Sequence, residues 1–193
     1  PGDFVPYDTE TAASLIADLK EIVPPYVRIQ RIQRDIPKPQ IIAGVMNSNL
    51  RQYARRELKA RGKKCNCINC RELWRAQIDP STAELKEIKY RSSGGDEYFL
   101  SFESGTKLLG YLRLRLDENA TVRELKVTGQ AANIGKTGTG VQHMGLGSKL
   151  MKIAEEKAAD YSKIRVTHGP GTRLYYEKLG YELQDYYMVK DLP

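Results

Sequence analysis

No stretch of this chain approaches the run of about 18 apolar residues that a membrane-spanning helix needs, and no charged-then-apolar leader opens it. Neither a membrane protein nor a secreted precursor is expected. Cysteine is scarce, with all three examples inside six residues (Cys65, Cys67, Cys70), which excludes a disulfide scaffold. Histidine occurs only as His143 and His168, and aromatic residues make up 8% of the 193 positions. Internal repeats and low-complexity tracts are absent. Neither G-x-x-x-x-G-K-[ST] nor G-x-G-x-x-G occurs, so the two common glycine signatures for nucleotides do not apply. The first residue is Pro1 rather than Met, so a piece of a longer protein is expected.

What is present is charge, unevenly placed. From Val27 to Arg75 there are 13 basic and 3 acidic residues, whereas the whole chain carries a net +7. The positive excess therefore sits in one stretch, the footprint of a polyanion partner such as nucleic acid. Arg28, Arg31, Arg34, Lys38, Arg51, Arg55, Arg56, Lys59, Lys63 and Lys64 supply most of it. Arg51, Arg55 and Lys59 recur four apart and share one helix face, which suits a phosphate backbone more than base reading. Platforms for stacking bases are few in this stretch, namely Tyr53 and Trp74.

The apolar spacing predicts a helix from Thr9 to Ile22, capped by Thr9, buried through Ala12, Leu15, Ile16, Leu19 and Ile22, and stopped by Pro24-Pro25. Alternation predicts a strand over Tyr26–Ile32, and a basic amphipathic helix follows from Asn47 or Asn49 to Arg61. Beyond the cysteines the texture changes to strands at Glu87–Ser92, Glu97–Glu103, Lys107–Leu116 and Thr121–Thr128. A glycine-rich loop from Gly129 to Gly147 leads into a helix over Ser148–Tyr161. Then come a strand Ile164–Thr167, a short helix Gly171–Leu179 and a strand Tyr181–Val189.

The sharpest signal is Gln142-His143-Met144-Gly145-Leu146-Gly147 opening that helix. A glycine-rich turn between strand and helix leaves several backbone N–H groups aimed at one point, with the helix dipole behind them. That arrangement binds an anion. The cysteines, spaced C-x-C-x-x-C, suit convergence on one tetrahedral zinc as a structural site. A fourth ligand is then required, with His143, His168 and carboxylates as the choices.

A strand, then Q-x-x-G-x-G opening a helix, then a strand and a Tyr-bearing helix, resembles the GNAT acyltransferases. The runs V-R-I-Q-R-I-Q-R-D-I-P (Val27 to Pro37), G-T-R-L-Y-Y-E-K-L-G-Y (Gly171 to Tyr181) and Y-M-V-K-D-L-P (Tyr187 to Pro193) resemble the family of Elongator catalytic subunits, the tRNA uridine acetyltransferase/radical-SAM family, in its archaeal type. The resemblance covers essentially the whole chain. It implies an α/β GNAT-like acetyltransferase domain, a mixed central sheet flanked by helices, at 81–193. A basic helix and zinc linker would precede it at 46–80, and the remnant of a radical-SAM barrel at 1–45. The radical-SAM triplet C-x-x-x-C-x-x-C is missing, so S-adenosylmethionine and a 4Fe-4S cluster are expected only in a full-length protein.

The resemblance further implies acetyl-CoA as cofactor, tRNA as partner, a cytoplasmic location, and other Elongator subunits or a second copy as further partners. The implied activity is C5 modification of the tRNA wobble uridine to a carboxymethyl-uridine. Acetyl-CoA would be held by Leu125, Lys126 and Val127 on the strand, by Gln142, Gly145, Leu146, Gly147 and Ser148 at the loop, and by Tyr176. Tyr176 is the first choice for the group at the thioester and Tyr175 the alternative, because successive helical residues point about 100° apart. Glu124 is not expected to act as a base. Two other functions compete: a GNAT-type protein lysine (histone) acetyltransferase, and a non-catalytic tRNA-binding module.

Overall fold

The computed structural model describes residues 4–34, 36–73, 78–128 and 145–193. It divides into two units, Pro1–Arg71 and Glu72–Pro193.

In the first unit, helix α1 runs Thr9–Ile22. Its cap is Asp8 rather than Thr9: the Asp8 carboxylate accepts the Thr11 N–H at 2.7 Å from an extended backbone, which Thr9, already inside the helix, cannot do. That bond holds the Asp8 carboxyl below its usual range. The buried side of α1 is also not the expected one. Ala12, Ala13, Ala17 and Lys20 are buried, whereas Leu15, Leu19 and Ile22 are exposed. Small side chains face α2 (Leu50–Ala60), where Ala12, Ala13 and Leu50 form a cluster flanked by Ile16 and Tyr53.

Helix α2 buries Leu50, Ala54 and Leu58, a spacing of four. Gly62, at φ +65°, ends it: the Gly62 N–H reaches the Lys59 carbonyl and the Lys63 N–H the Leu58 carbonyl, both within 3.0 Å. Arg61 clamps the pair of helices, donating to Asp18, Glu21, Glu57 and Ser14. The expected strand Tyr26–Ile32 belongs to no strand of the structure: Tyr26 lies in a turn closed by the Val27 N–H on the Pro24 carbonyl at 3.0 Å. Its Ile29 and Gln30 carbonyls accept from the Arg51 guanidinium, and its Val27 carbonyl accepts the Ile68 N–H at the start of the one-turn helix α3 (Ile68–Arg71). Side-chain alternation marks extended backbone, but a strand also needs a partner.

The second unit is a seven-stranded sheet in the order β1-β2-β3-β4-β5-β7-β6. Its strands are β1 Glu84–Ser92, β2 Gly95–Ser104, β3 Lys107–Leu116, β4 Ala120–Val127, β5 Lys163–Thr167, β6 Glu182–Gln184 and β7 Tyr187–Asp191. Among these seven strands only β4 and β5 pair in parallel. The β1–β2 turn has positive φ at both Ser93 and Gly94, the hairpin geometry that matches strand twist. Helix α4 (Leu146–Lys157) lays Leu150, Met151 and Ala154 on a core of Leu112, Leu114, Val122, Ile164, Val166 and Met188. Helix α5 is short, Arg173–Glu177. The expected last strand is two, because Asp185 (φ +52°) and Tyr186 turn the chain so that Gln184 faces Tyr187.

Candidate cofactor site and cysteine cluster

Strand β4 pairs with β3 along its length but with β5 only from Ala120 to Val122. Arg113 faces Glu124 while the next residue, Leu114, faces Val122, so Arg123 is the extra residue of a bulge. A bulge adds local twist and bends the strand that carries it. Beyond it, Leu125, Lys126 and Val127 present a backbone edge with no strand partner among the described residues. Unpaired N–H and C=O groups along a strand edge take up an extended ligand by hydrogen bonds.

The first turn of α4 adjoins that edge. Gly145 stands in the left-handed region (φ +66°), and the first intrahelical bond there runs from the Lys149 N–H to the Gly145 carbonyl at 3.0 Å. The amides of Leu146, Gly147 and Ser148 thus have no intrahelical partner and face the helix N-terminus. The Leu146 side chain is spent on the core with Leu73 and Leu109. A β-carbon on Gly147 would lie 2.6 Å from the Tyr175 hydroxyl oxygen and 3.6 Å from Val127 Cγ2. Strand edge, helix start and α5 therefore meet at Gly147.

The two tyrosines of α5 part company here. Tyr176, the first choice from the sequence, is 5% exposed in the sheet–helix core and packs edge-on against Tyr181 at 6.0 Å. Burial pushes its phenol up to about 12, with the neighbouring Tyr175 adding to the effect. Tyr175 is 36% exposed, with its hydroxyl over the start of α4. Burial raises its phenol too, and a hydrogen bond with Ser148 opposes that rise. Of the other expected cofactor contacts, Gly145 and Ser148 are exposed, Leu125 packs its side chain on the core, and Lys126 pairs with buried Glu72 at 2.9 Å. Gln142, like His143 and Trp74, lies outside the described residues.

Glu124 is engaged on both oxygens. Oε1 accepts from the Tyr111 hydroxyl and Oε2 from Arg113 Nε at 3.0 Å. A carboxylate tied this way is a structural anchor.

In the first unit the Sγ atoms of Cys65, Cys67 and Cys70 lie within 4.8 Å of one another. Three thiolates at Zn–S distances of about 2.3 Å would stand roughly 3.8 Å apart in a tetrahedron, so the cluster fits such an ion. Its backbone is pinned: the Arg71 guanidinium donates to the Asn66 and Pro25 carbonyls at 2.8 Å each. Hydrogen bonds from Cys65 and Cys70 drive the Cys67 thiol well below its ordinary range. Within this unit's described residues no carboxylate or imidazole joins the three. His168 rests its Nδ1 against the Gly169 carbonyl at 3.1 Å. The group that sequence reasoning missed is Lys20, buried at 3% exposure with Nζ 3.7 Å from Cys70 Sγ. The signal was available, since Lys20 continues the buried line Ala13, Ala17 along α1.

The basic residues separate by use. Arg51 braces the 29–30 backbone and Arg56 lies over the Tyr53 ring at 5.6 Å, while Arg55 and Lys59 face solvent on α2. Lys63 approaches Glu21 at 3.8 Å, and Arg31, Arg34, Lys38 and Lys64 are exposed, with Arg28 half-buried.

Residues 68–181 match the model of the acetyltransferase (GNAT) family. The chain belongs to that family. In front of the GNAT match, residues 1–60 match the Radical_SAM C-terminal domain. Among its relatives, the tRNA uridine(34) acetyltransferase of Dehalococcoides mccartyi is 42% identical over 99% of this chain and 46% of its own length. That of Methanocaldococcus jannaschii is 40% identical over 99% and 40%. Elongator complex protein 3 of Homo sapiens is 38% identical over 99% and 39%. The solved structure of archaeal Methanocaldococcus infernus Elp3 with an N-terminal deletion superposes with a TM-score of 0.89 at 39% identity, over 99% of this chain and 50% of that one. The expected GNAT-like α/β fold and the Elongator-family resemblance are thereby borne out. This GNAT chain spans less than half the length of these curated relatives. Among its described residues no helix is long and apolar enough to cross a membrane.

Proposed function

We propose that this chain is the acetyl-CoA-handling part of an enzyme that modifies C5 of the tRNA wobble uridine, with the acyltransferase chemistry of its relatives. The observation that carries this reading is the meeting of the free β4 edge, the uncapped start of α4 and the Tyr175 hydroxyl around Gly147. The pantetheine arm hydrogen-bonds Leu125, Lys126 and Val127, and the pyrophosphate takes the amides of Gly145, Leu146, Gly147 and Ser148, with Gln142 adding to the loop. Tyr175, rather than Tyr176, is the phenol that meets the thioester end. Kept protonated by burial, it donates to the thiolate that leaves when the acetyl group is released.

In this reading 81–193 is the acetyltransferase domain, 46–80 a basic zinc-bearing linker and 1–45 the end of a radical-SAM barrel. S-adenosylmethionine and the iron–sulfur cluster then belong to the remainder of the longer protein. Cys65, Cys67 and Cys70 hold a structural zinc. Arg55 and Lys59, with Arg28, Arg31, Arg34, Lys38, Arg56, Lys63 and Lys64, grip the tRNA backbone, and Arg51 supports them from beneath. The location is cytoplasmic, and other Elongator subunits or a second copy are further partners.

Protein lysine acetylation needs a base for the incoming amine, and Glu124 is already held by Tyr111 and Arg113. A pure tRNA-binding module has no use for the converging amides and phenol. Calorimetric binding of acetyl-CoA, with CoA release followed in the presence and absence of tRNA, tests the proposal. Binding with tRNA-stimulated release is expected, and a chain that binds tRNA alone would leave the binding-module reading in its place.

A further inference from the structure

A lysine ammonium is among the costliest groups to bury without a partner of opposite charge. Lys20 is 3% exposed, on a helix face otherwise lined by alanines, and its ammonium meets Cys70 Sγ at 3.7 Å. The exposed positions of the same helix, Leu15, Leu19 and Ile22, are apolar. Sequence economy would have put those inside and the lysine out. Something in the interior of this unit therefore repays the burial of a positive charge.

The cysteine cluster can supply the opposite charge, since its sulfurs ionise to thiolates when they hold a metal. Three thiolates around a divalent ion carry a net charge of −1, and Cys67 at its centre is fully buried. We infer that Lys20 is the counter-charge of a tri-thiolate metal site, its ammonium donating an N–H···S bond to Cys70 and neutralising the buried complex. Lys20 is then a positioning residue and not a ligand: as an ammonium it has no lone pair for a metal and donates to Cys70 Sγ. Its role rests on the zinc reading above and extends it, because the metal and the lysine each make the other's burial tolerable.

This reciprocity gives a signature that ordinary packing lacks. With the ion bound, removing the charge leaves an uncompensated anion; without the ion, the sulfurs hold their protons more fully and removing the buried cation costs little or relieves the unit. The test uses the chain as it stands, reduced, in metal-free and metal-loaded forms, with Lys20→Met and Lys20→Arg. Zinc affinity is read by competition, ligand type by the absorption of the cobalt(II) form, and stability by thermal unfolding. The wild-type chain binds one equivalent with a thiolate-rich cobalt spectrum. In Lys20→Met zinc affinity falls by roughly 10-fold or more, a size typical of lost outer-sphere partners. The Tm of the loaded form falls, while that of the metal-free form stays or rises. Lys20→Arg keeps most of the affinity.

Unchanged affinity in Lys20→Met overturns the inference, as does an equal fall of Tm in both forms. So does a cobalt spectrum that loses a nitrogen ligand, which would make Lys20 a ligand. If neither variant folds with metal present, the role of Lys20 is steric and the inference also falls. A wild-type chain that binds no metal defeats the zinc reading itself, a result separate from all of these.

Discussion

The hydroxyl oxygen of Tyr175 occupies the space in which a side chain at position 147 would begin: a β-carbon on Gly147 would lie 2.6 Å from it. Gly147 is therefore glycine for room, and the room is used by the Tyr175 hydroxyl, which reaches the start of α4 from α5.

That relationship predicts a coupling between the two positions. Gly147→Ala should cost about 1–3 kcal/mol, the usual range for overpacking, because the methyl displaces the phenol. In a Tyr175→Phe background the clash vanishes, since the ring carbon Cζ is 3.6 Å away, an ordinary contact. A double-mutant cycle on unfolding free energies should then show an interaction of about 1 kcal/mol or more. Additive losses would mean that Gly147 is glycine for some other reason.

Tyr175 and Tyr176 should respond in opposite ways. Tyr175→Phe leaves the fold stable and removes the proton donor, so CoA release from acetyl-CoA slows by about 10²-fold while binding is kept. Tyr176→Ala removes a ring from the core beside Tyr181 and costs about 3–5 kcal/mol. Single-turnover assays and chemical denaturation on the two variants check this. A stable Tyr176→Ala protein with no turnover would reverse the roles.

Alkaline pH offers a separate check on the core. Burial raises the phenols of both Tyr176, to about 12, and Tyr181 above the ordinary 10.0. A phenol whose folded value exceeds its unfolded one contributes stability that is complete below pH 10 and lost as the pH climbs through 12. Unfolding free energy should drop between pH 10 and 12 in the wild-type chain, and drop less in Tyr176→Phe. Parallel profiles for the two proteins over that interval would count against a buried Tyr176.

The α2 surface predicts a split among arginines. Arg55→Ala and Lys59→Ala should each weaken tRNA binding and lower the salt slope by about one ion, the mark of a lost phosphate contact. Arg51→Ala should instead lower stability first, because Arg51 holds the Ile29 and Gln30 carbonyls. Filter binding across a salt series, beside thermal unfolding, separates them.

Much of the fold was legible because its residues state a local preference. The helix-stopping prolines after α1, the alternation through Leu112 and Leu114 in β3, and the glycines before α4 all signal their elements without outside help. What was not legible depended on partners distant in sequence. Tyr26–Ile32 alternates as a strand does, yet Arg51 and the Ile68 N–H take the carbonyls that a neighbouring strand would need. The inward face of α1 follows small size rather than hydrophobicity, so its leucines and Lys20 traded places. Tyr175 and Tyr176 are identical in type, and only the seating of α5 on the core tells them apart. The Q-x-x-G-x-G motif named the anion site, but the companion slot beside β4 arises from a bulge at Arg123 that no sequence pattern marks.

The most direct measurement is CoA release from acetyl-CoA by this chain, with and without tRNA, for the wild type and for Tyr175→Phe. The account predicts release that tRNA stimulates in the wild type and that the substitution slows by about 10²-fold while acetyl-CoA still binds. Equal release by both proteins, or no acetyl-CoA binding by a folded chain that still binds tRNA, would contradict it.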